Sequence, residues 1–338
     1  MEGHVRPQYN PISPVGLSHR MVTSRPDSLT LPDAGPGNWV DRYAPSASVP
    51  YLRLARFDRP IGSWLLLFPC WWSLALAELY RGRPYPNLWY LGLFFVGAFV
   101  MRGAGCTYND IVDRNYDGQV ARTALRPIPS GAVSVRNALL WAGFLSLIGL
   151  AVLLQFNWFT VWLGLGSLVL IAIYPFMKRF TNWPQLVLGL TFKWGALVGW
   201  AAIFSTLDTA AIVLYVGCVA WTIGYDTIYA HQDKEDDALL GLRSTALRFG
   251  DQTQNWVGGF YGIAVVLWGI AGFLANAHLI FFLAVALVSL QLSWQVSTLE
   301  TENPANCLRR FRSNKDVGWA IFLALIADMA VSTLAGLA

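Results

Sequence analysis

The sequence predicts an all-α, polytopic membrane protein with nine transmembrane helices in a bundle. Three observations lead there. Hydrophobic residues make up 55% of the 338-residue chain and charged residues only 13%, with 16 Trp, a balance more apolar than soluble domains of this size show. Apolar runs of roughly twenty residues recur, each long enough to cross a hydrocarbon core about 30 Å thick as a helix. Lys and Arg gather in alternate loops, as the positive-inside rule requires of a correctly counted bundle.

Residues 1–50 read as a tail with little fixed structure, because Pro, Gly and Ser are frequent and no periodicity persists. The early part carries Arg6, Arg20 and Arg25 against Glu2, so an organelle transit peptide is the alternative to a plain cytoplasmic tail; interrupting prolines favour the tail. Residues 51–338 form the membrane domain. Spans are expected near 61–79, 87–106, 135–154, 157–175, 184–204, 209–230, 254–274, 277–298 and 317–337. The loops holding Arg53, Arg56 and Arg59, then Arg114, Arg122, Arg126 and Arg136, then Lys178 and Arg179, then Lys234, Arg243 and Arg248, then Arg309, Arg310, Arg312 and Lys315 all fall on one side. On the other side only Arg81 and Arg83 occur. The basic side faces the cytoplasm of a bacterial inner membrane or, alternatively, the matrix of a mitochondrial one. Net charge is +4 and no nucleic-acid motif is present. Cys70, Cys106, Cys218 and Cys307 are scattered without CxxC spacing, which excludes a zinc ribbon or a disulfide framework as the organising feature.

Two acidic clusters stand at the basic side, where apolar spans give way to polar loops: Asn109, Asp110, Asp113 and Asp117 after the second span, and Asp226, Asp233, Glu235, Asp236 and Asp237 at the sixth. Carboxylates three or four residues apart return to one helix face, so Asp110, Asp113 and Asp117 are expected to point one way, as are Asp233 and Asp237. Massed negative charge beside an apolar medium requires cations. Hard oxygen ligands of this kind suit Mg²⁺, and a metal-bound diphosphate fits the pair of clusters. Their placement four spans apart suggests a weak internal duplication.

An allylic lipid diphosphate is the matching substrate, since neutralising its oxygens eases C–O cleavage. Asn109, Asp113, Asp233 and Asp237 are the first choices as metal ligands, with Asp110 and Asp117 behind them. Arg122, Arg126, Lys234 and Arg243 are candidates to contact phosphate, as Arg suits bidentate phosphate contact. Arg56 and Arg59 are placed to bind diphosphate or an acceptor carboxylate, or to serve as topological anchors. Asp226, deeper along its helix, is the candidate to accept a phenolic proton. His231 reads as a polar contact rather than a base. Tyr108, Tyr116, Tyr225, Tyr229, Trp64, Trp194 and Trp221 are candidate walls for a cation, although packing explains most aromatics in such a chain. Lys193, inside the fifth span, is expected either to reach diphosphate or acceptor, or to snorkel to the membrane edge.

The run Asn109-Asp-x-x-Asp113-x-x-x-Asp117 with Arg122-Thr-x-x-Arg126-Pro-x-Pro-Ser-Gly131 resembles the first signature of the UbiA superfamily of intramembrane prenyltransferases. Tyr225-Asp226-x-x-Tyr229-Ala-x-x-Asp233-x-x-Asp236-Asp237, followed by Gly241-x-x-Ser244-Thr245, looks like the second signature of the 4-hydroxybenzoate polyprenyltransferase branch. Arg56-x-Asp58-Arg59-Pro60-Ile-Gly62 extends the similarity to nearly everything after the tail. The resemblance implies nine helices around a central lipid-open cavity, Mg²⁺ dependence, and transfer of a polyprenyl group from polyprenyl diphosphate to the carbon ortho to the hydroxyl of 4-hydroxybenzoate, in ubiquinone biosynthesis. It associates Asn109, Asp113, Asp233 and Asp237 with magnesium. Lys193 departs from the family's expected pattern. Haem, chlorophyll or other quinone-precursor prenylation are the nearer alternatives. A transporter would place its acids at the bilayer midplane rather than at one face. A CDP-alcohol phosphotransferase would need a GxxxDxxxD run that does not follow Asp117–Arg122.

Overall fold

A computed structural model of the chain describes residues 37–120 and 123–336. Two short helices, α1 (Trp39–Tyr43) and α2 (Val49–Leu54), lead into the first span, α3 (Ile61–Tyr80). The second span is α4 (Leu88–Asp117) and the third α5 (Val135–Leu153). The fourth joins α6 (Trp158–Ile173) to α7 (Met177–Phe180) through a 3-10 turn, and the fifth is broken into α8 (Pro184–Phe192) and α9 (Gly195–Phe204). The sixth runs from α10 (Thr209–Ala230) through a 3-10 turn to α11 (Lys234–Leu239); the seventh comprises α12 (Thr245–Phe249) and α13 (Thr253–Leu274). The last two are α14 (Leu279–Ser297) and α15 (Pro304–Leu334). Among the described residues nine helical segments are thus long and apolar enough to cross a membrane, and no strand occurs.

Helix starts follow side-chain caps. Asn87, Ser134, Asn157 and Asn303 accept hydrogen bonds from the first turns of α4, α5, α6 and α15, supplying partners for amides that have none inside the helix. The N-terminus of α14 is capped from outside: buried Asp328 on α15 accepts from the amides of His278 (2.6 Å), Ile280 and Phe281. Order also begins earlier than Pro50. Asn38 caps α1, Trp39 donates its indole N–H to the Phe57 carbonyl (2.8 Å), and Asp41 pairs with Arg53 at 3.0 Å. The expected tail at residues 1–36 lies outside the described residues.

At about 1.5 Å per residue, the 30 residues of α4 exceed a core of about 30 Å by nearly three turns. The overhang carries Asn109 to Asp117, which is why α4 ends well past the expected boundary at 106. The core sits where α3, α10, α13 and α15 meet. Trp72 of α3 stacks on Trp221 of α10 at 5.4 Å and meets Trp268 of α13 edge-on at 5.3 Å. Backbone approach is set by glycine. A Cβ at Gly195 or Gly199 would collide with Cys70 of α3, so α9 presses against α3 along a Gly-xxx-Gly face. Leu139, Leu140 and Phe144 on α5 point outward, as lipid-facing residues do.

Candidate active site

One cavity of about 790 Å³ reaches from the polar rim deep between α4, α5 and α6. Its rim is lined by Asn109, Asp110, Asp113 and Asp117 from α4 and by Asp226, Asp233 and Asp237 from the sixth span, so the two motifs face one space. Its depth is lined by Leu93, Phe94, Gly97, Leu147, Leu150 and Leu153, with Phe94 stacked on Phe156 at its far end (5.0 Å). A polar mouth thus opens into an apolar channel.

The acids of α4 do not all point one way. Asp110 and Asp117, nearly two turns apart, turn toward Arg126, whose Nη1 reaches Asp110 at 3.2 Å and Asp117 at 2.8 Å. Arg56 Nη2 also donates to both Asp110 carboxylate oxygens, at 2.7 and 2.9 Å, while its Nη1 donates to the Arg53 carbonyl at 3.0 Å. Asp113 is rotated from Asp110 by about 60° on the helical wheel. It pairs with Arg179 at 3.1 Å and accepts from Asn109 Nδ2 at 3.2 Å. Arg56 is delivered by a left-handed backbone (φ 60°), a conformation costing a non-glycine residue about 1–2 kcal/mol. Burial, the largest single influence, pushes its guanidinium down, but Asp110, Cys106 and Asp58 together outweigh that and hold it above the usual arginine range.

On the opposite wall, α10 ends at Ala230, Asp233 closes a 3-10 turn, and Asp237 lies on α11, 3.8 Å from Lys178. Asp226 lies deeper, beside Tyr225, Tyr229, Tyr174 and Gln185 in the cavity wall. Oxygen donors of Asn109, Asp113, Asp233 and Asp237 suit a hard cation. Among the described residues, no three Asp, Glu, His or Cys converge tightly enough to bind an ion alone, so the set fits ions that share diphosphate oxygens.

Several expected ligand contacts lie elsewhere. Lys193, Lys234, Arg243 and Arg59 are not among the cavity-lining residues. Lys193 is fully buried behind the wall, donating to the Leu65 carbonyl at 2.6 Å. It neither reaches the cavity nor snorkels. Lys234 pairs with Glu302 at 3.3 Å, and Arg243 ties its loop to α7 through the Phe180 carbonyl at 2.9 Å. Arg59 stands 3.8 Å from Asp58. Arg122 lies outside the described residues. His231 is buried and shares a hydrogen bond between its Nε2 and the Thr253 hydroxyl at 3.1 Å, a polar contact as expected. Of the candidate aromatics, Tyr116, Tyr225, Tyr229 and Trp194 line the cavity; Trp64 packs among Phe68, Phe99 and Trp319 instead, and Tyr108 donates to the Ala172 carbonyl.

Lys178, Arg179 and Gln185 enter the site without having been singled out as ligands, and Arg102 had gone unremarked. Arg102 sits inside the apolar second span, an intramembrane charge that physical reasoning reads as functional by default. Its guanidinium lies 4.8 Å over Phe192 and leans across Gly62, where a Cβ would meet its Nε at 2.7 Å.

Among the described residues nine spans are thus present, and seven of them, the first six and the ninth, line a cavity with a one-sided acidic mouth and an apolar depth. Residues 66–326 match the family model described as the UbiA prenyltransferase family, and the chain belongs to that family. It is 50% identical over 278 residues to a protein of Aedes aegypti named "4-hydroxybenzoate polyprenyltransferase, mitochondrial", covering 82% of this chain and 63% of that one. Relatives of the same name in Arabidopsis thaliana and Homo sapiens are each 46% identical, over 92% and 84% of this chain and 80% and 76% of theirs. The fold matches an apo UbiA homolog from Aeropyrum pernix (TM-score 0.66, 24% identity, 78% of this chain and 98% of that one). It also matches a UbiA homolog from Archaeoglobus fulgidus bound to GPP and Mg²⁺ (TM-score 0.58, 19% identity, 82% and 99%).

Proposed function

We propose that the chain catalyses Mg²⁺-dependent transfer of a polyprenyl group from polyprenyl diphosphate to the ring carbon ortho to the hydroxyl of 4-hydroxybenzoate, a step of ubiquinone biosynthesis. The observation behind this reading is the single cavity in which both acidic motifs, several cations and an apolar channel meet. The names of the relatives support the acceptor.

Asn109, Asp113, Asp233 and Asp237 would hold Mg²⁺, which neutralises charge on the departing diphosphate. Lys178, Arg179 and Arg126 border the same rim and bind the remaining phosphate charge. Asp110 and Asp117 serve as counter-ions that aim Arg56 and Arg126. The apolar channel takes the isoprenoid tail and excludes water from the allylic cation left by C–O cleavage. Tyr116, Tyr225 and Tyr229 wall that cation with π-faces. Arg102 binds the acceptor carboxylate within the membrane, where water cannot compete. Asp226 takes the phenolic proton as the ring attacks the allylic carbon that diphosphate has left; the new C–C bond forms ortho to the oxygen, the ring C–H proton passes to the departed diphosphate as aromaticity returns, and Asp226 gives its proton back to the ring oxygen.

Loop charge supports placing the rim on the cytoplasmic side of a bacterial inner membrane or the matrix side of a mitochondrial one, and the word mitochondrial in the relatives' names favours the second. The test is to incubate the chain in lipid nanodiscs with labelled 4-hydroxybenzoate and prenyl diphosphates of several lengths, with and without Mg²⁺. Label should move into lipid extract only with Mg²⁺. No transfer with any donor would overturn the assignment.

A further inference from the structure

Lys193 is buried in the membrane domain, outside the cavity and unused by the chemistry above. A charge at that depth is expensive and persists only with partners that compensate it. Its partners are unusual. The nearest is the Leu65 carbonyl of α3, 2.6 Å from Nζ. In a continuous α-helix that carbonyl would accept from the amide of residue 69. Residue 69 is proline, inside α3, and proline has no amide hydrogen to give. The lysine supplies the donor that α3 lacks.

The second set of partners is aromatic. Nζ stands 4.6 Å from the ring centre of Trp221 and 5.3 Å from that of Tyr225, both on α10, distances at which a cation is attracted to a π-face. Trp221 is anchored in turn, donating its indole N–H to Asn314 at 2.7 Å. Tyr225 and Leu65 both line the cavity, and Tyr225 immediately precedes Asp226. Lys193 itself occupies the break between α8 and α9, so one ammonium joins that break, the proline site of α3 and the catalytic face of α10.

We infer that Lys193 is a positioning residue: it replaces the backbone donor that Pro69 removes and, held against Trp221 and Tyr225, fixes the Tyr225–Asp226 wall on which the acceptor ring lies. The hydrogen bond and the charge are separable. Pro69→Ala would restore an amide to Leu65 without restoring a cation beside α10. The role at the wall rests on the proposed function; the link to Pro69 does not.

The experiment compares wild type, Lys193→Met, Pro69→Ala and the double variant in nanodiscs, reading Tm and the Kd and KM for 4-hydroxybenzoate and for the prenyl diphosphate. Lys193→Met should lower Tm by about 3–5 °C, and the double variant should recover most of that loss. Lys193→Met should also weaken 4-hydroxybenzoate roughly fivefold while leaving the diphosphate constants unchanged, and Pro69→Ala should not repair this. A double variant no more stable than Lys193→Met overturns the link to Pro69. Unchanged acceptor constants in Lys193→Met, or acceptor constants repaired together with Tm, overturn positioning through the charge. A wild type that neither binds nor prenylates 4-hydroxybenzoate overturns the proposed function and the wall role together, while the thermal comparison still decides the link to Pro69.

Discussion

The first acidic motif rides on the closing turns of one unbroken helix, α4, whereas the second is divided among α10, a 3-10 turn and α11. In the first, register alone fixes each carboxylate, and the helix sorts them onto two neighbouring faces. Asp110 and Asp117 meet Arg56 and Arg126; Asn109 and Asp113 meet each other and Arg179. In the second, the chain bends between Asp226 and Asp237, which brings residues of different depth onto one wall. The comparison teaches that similar letters do different jobs: the α4 motif contains its own electrostatic scaffold, and the sixth-span motif spreads its acids along the depth of one cavity wall.

The largest effect should come from the residues facing across the cavity. Asp113→Ala and Asp233→Ala should each lower kcat/KM by about 10³-fold or more, with Tm within a few degrees of wild type. Chelation of divalent ions should mimic both and be reversed by Mg²⁺. Near-normal turnover in either variant would remove the symmetric role assigned to the two walls.

Asp110→Ala should behave in the opposite way. It leaves two guanidinium groups in a buried site without the carboxylate they share, a loss of about 3–5 kcal/mol, so stability should fall further than in Asp113→Ala. Its apparent Mg²⁺ midpoint, measured on the fraction that remains folded, should stay close to wild type. A stable Asp110→Ala protein with a tenfold higher apparent Mg²⁺ midpoint would make Asp110 a ligand and erase the division within α4.

This division shows what was readable in the chain and what was not. The nine spans and the two motifs followed from apolar run length and the placement of charge, because lipid forces every backbone amide into a helix and leaves length as the dominant variable. The shared cavity was expected on the same grounds. The partner of each acid was not readable: Arg56, Arg126 and Arg179 come from three separate segments, and which guanidinium meets which face depends on loop paths such as the left-handed turn at Arg56. Lys234 and Arg243 adjoin the second motif in sequence yet face Glu302 and Phe180 in space. The break at Lys193 was hidden because the apolar run continues through it, and the carbonyl that its side chain meets, that of Leu65, lies far away in sequence.

A smaller effect should separate the phosphate from the acceptor end. Lys178 stands 3.8 Å from Asp237 and lines the rim. Lys178→Met should raise KM for prenyl diphosphate about tenfold and leave that for 4-hydroxybenzoate unchanged, since its charge acts through solvent-accessible rim contacts. Equal changes in both constants would mean the two ends are not distinct.

The smallest effect concerns the loop that delivers Arg56. Asp58 is 4% exposed, and neither of its carboxylate oxygens has a hydrogen-bond partner among the described residues, with Arg59 only at 3.8 Å. Burial pushes its carboxyl above the ordinary aspartate value, and the nearby Arg59 and Arg56 charges only partly oppose this. A carboxyl raised on folding binds its proton more tightly in the native state, so ionisation costs stability at neutral pH and the cost is relieved as pH falls through the raised value. Asp58→Asn should therefore be at least as stable as wild type at pH 7, by about 1–2 °C in Tm. That advantage should shrink on acidification toward the unfolded value near 4, as wild type takes up its proton. Thermal melts of both proteins from pH 7.5 to pH 4.5 decide it: a variant that is less stable at neutral pH, with the gap closing in acid, would show that the Arg59 and Arg56 charges outweigh burial and that Asp58 belongs to the ion-pair scaffold of the first motif.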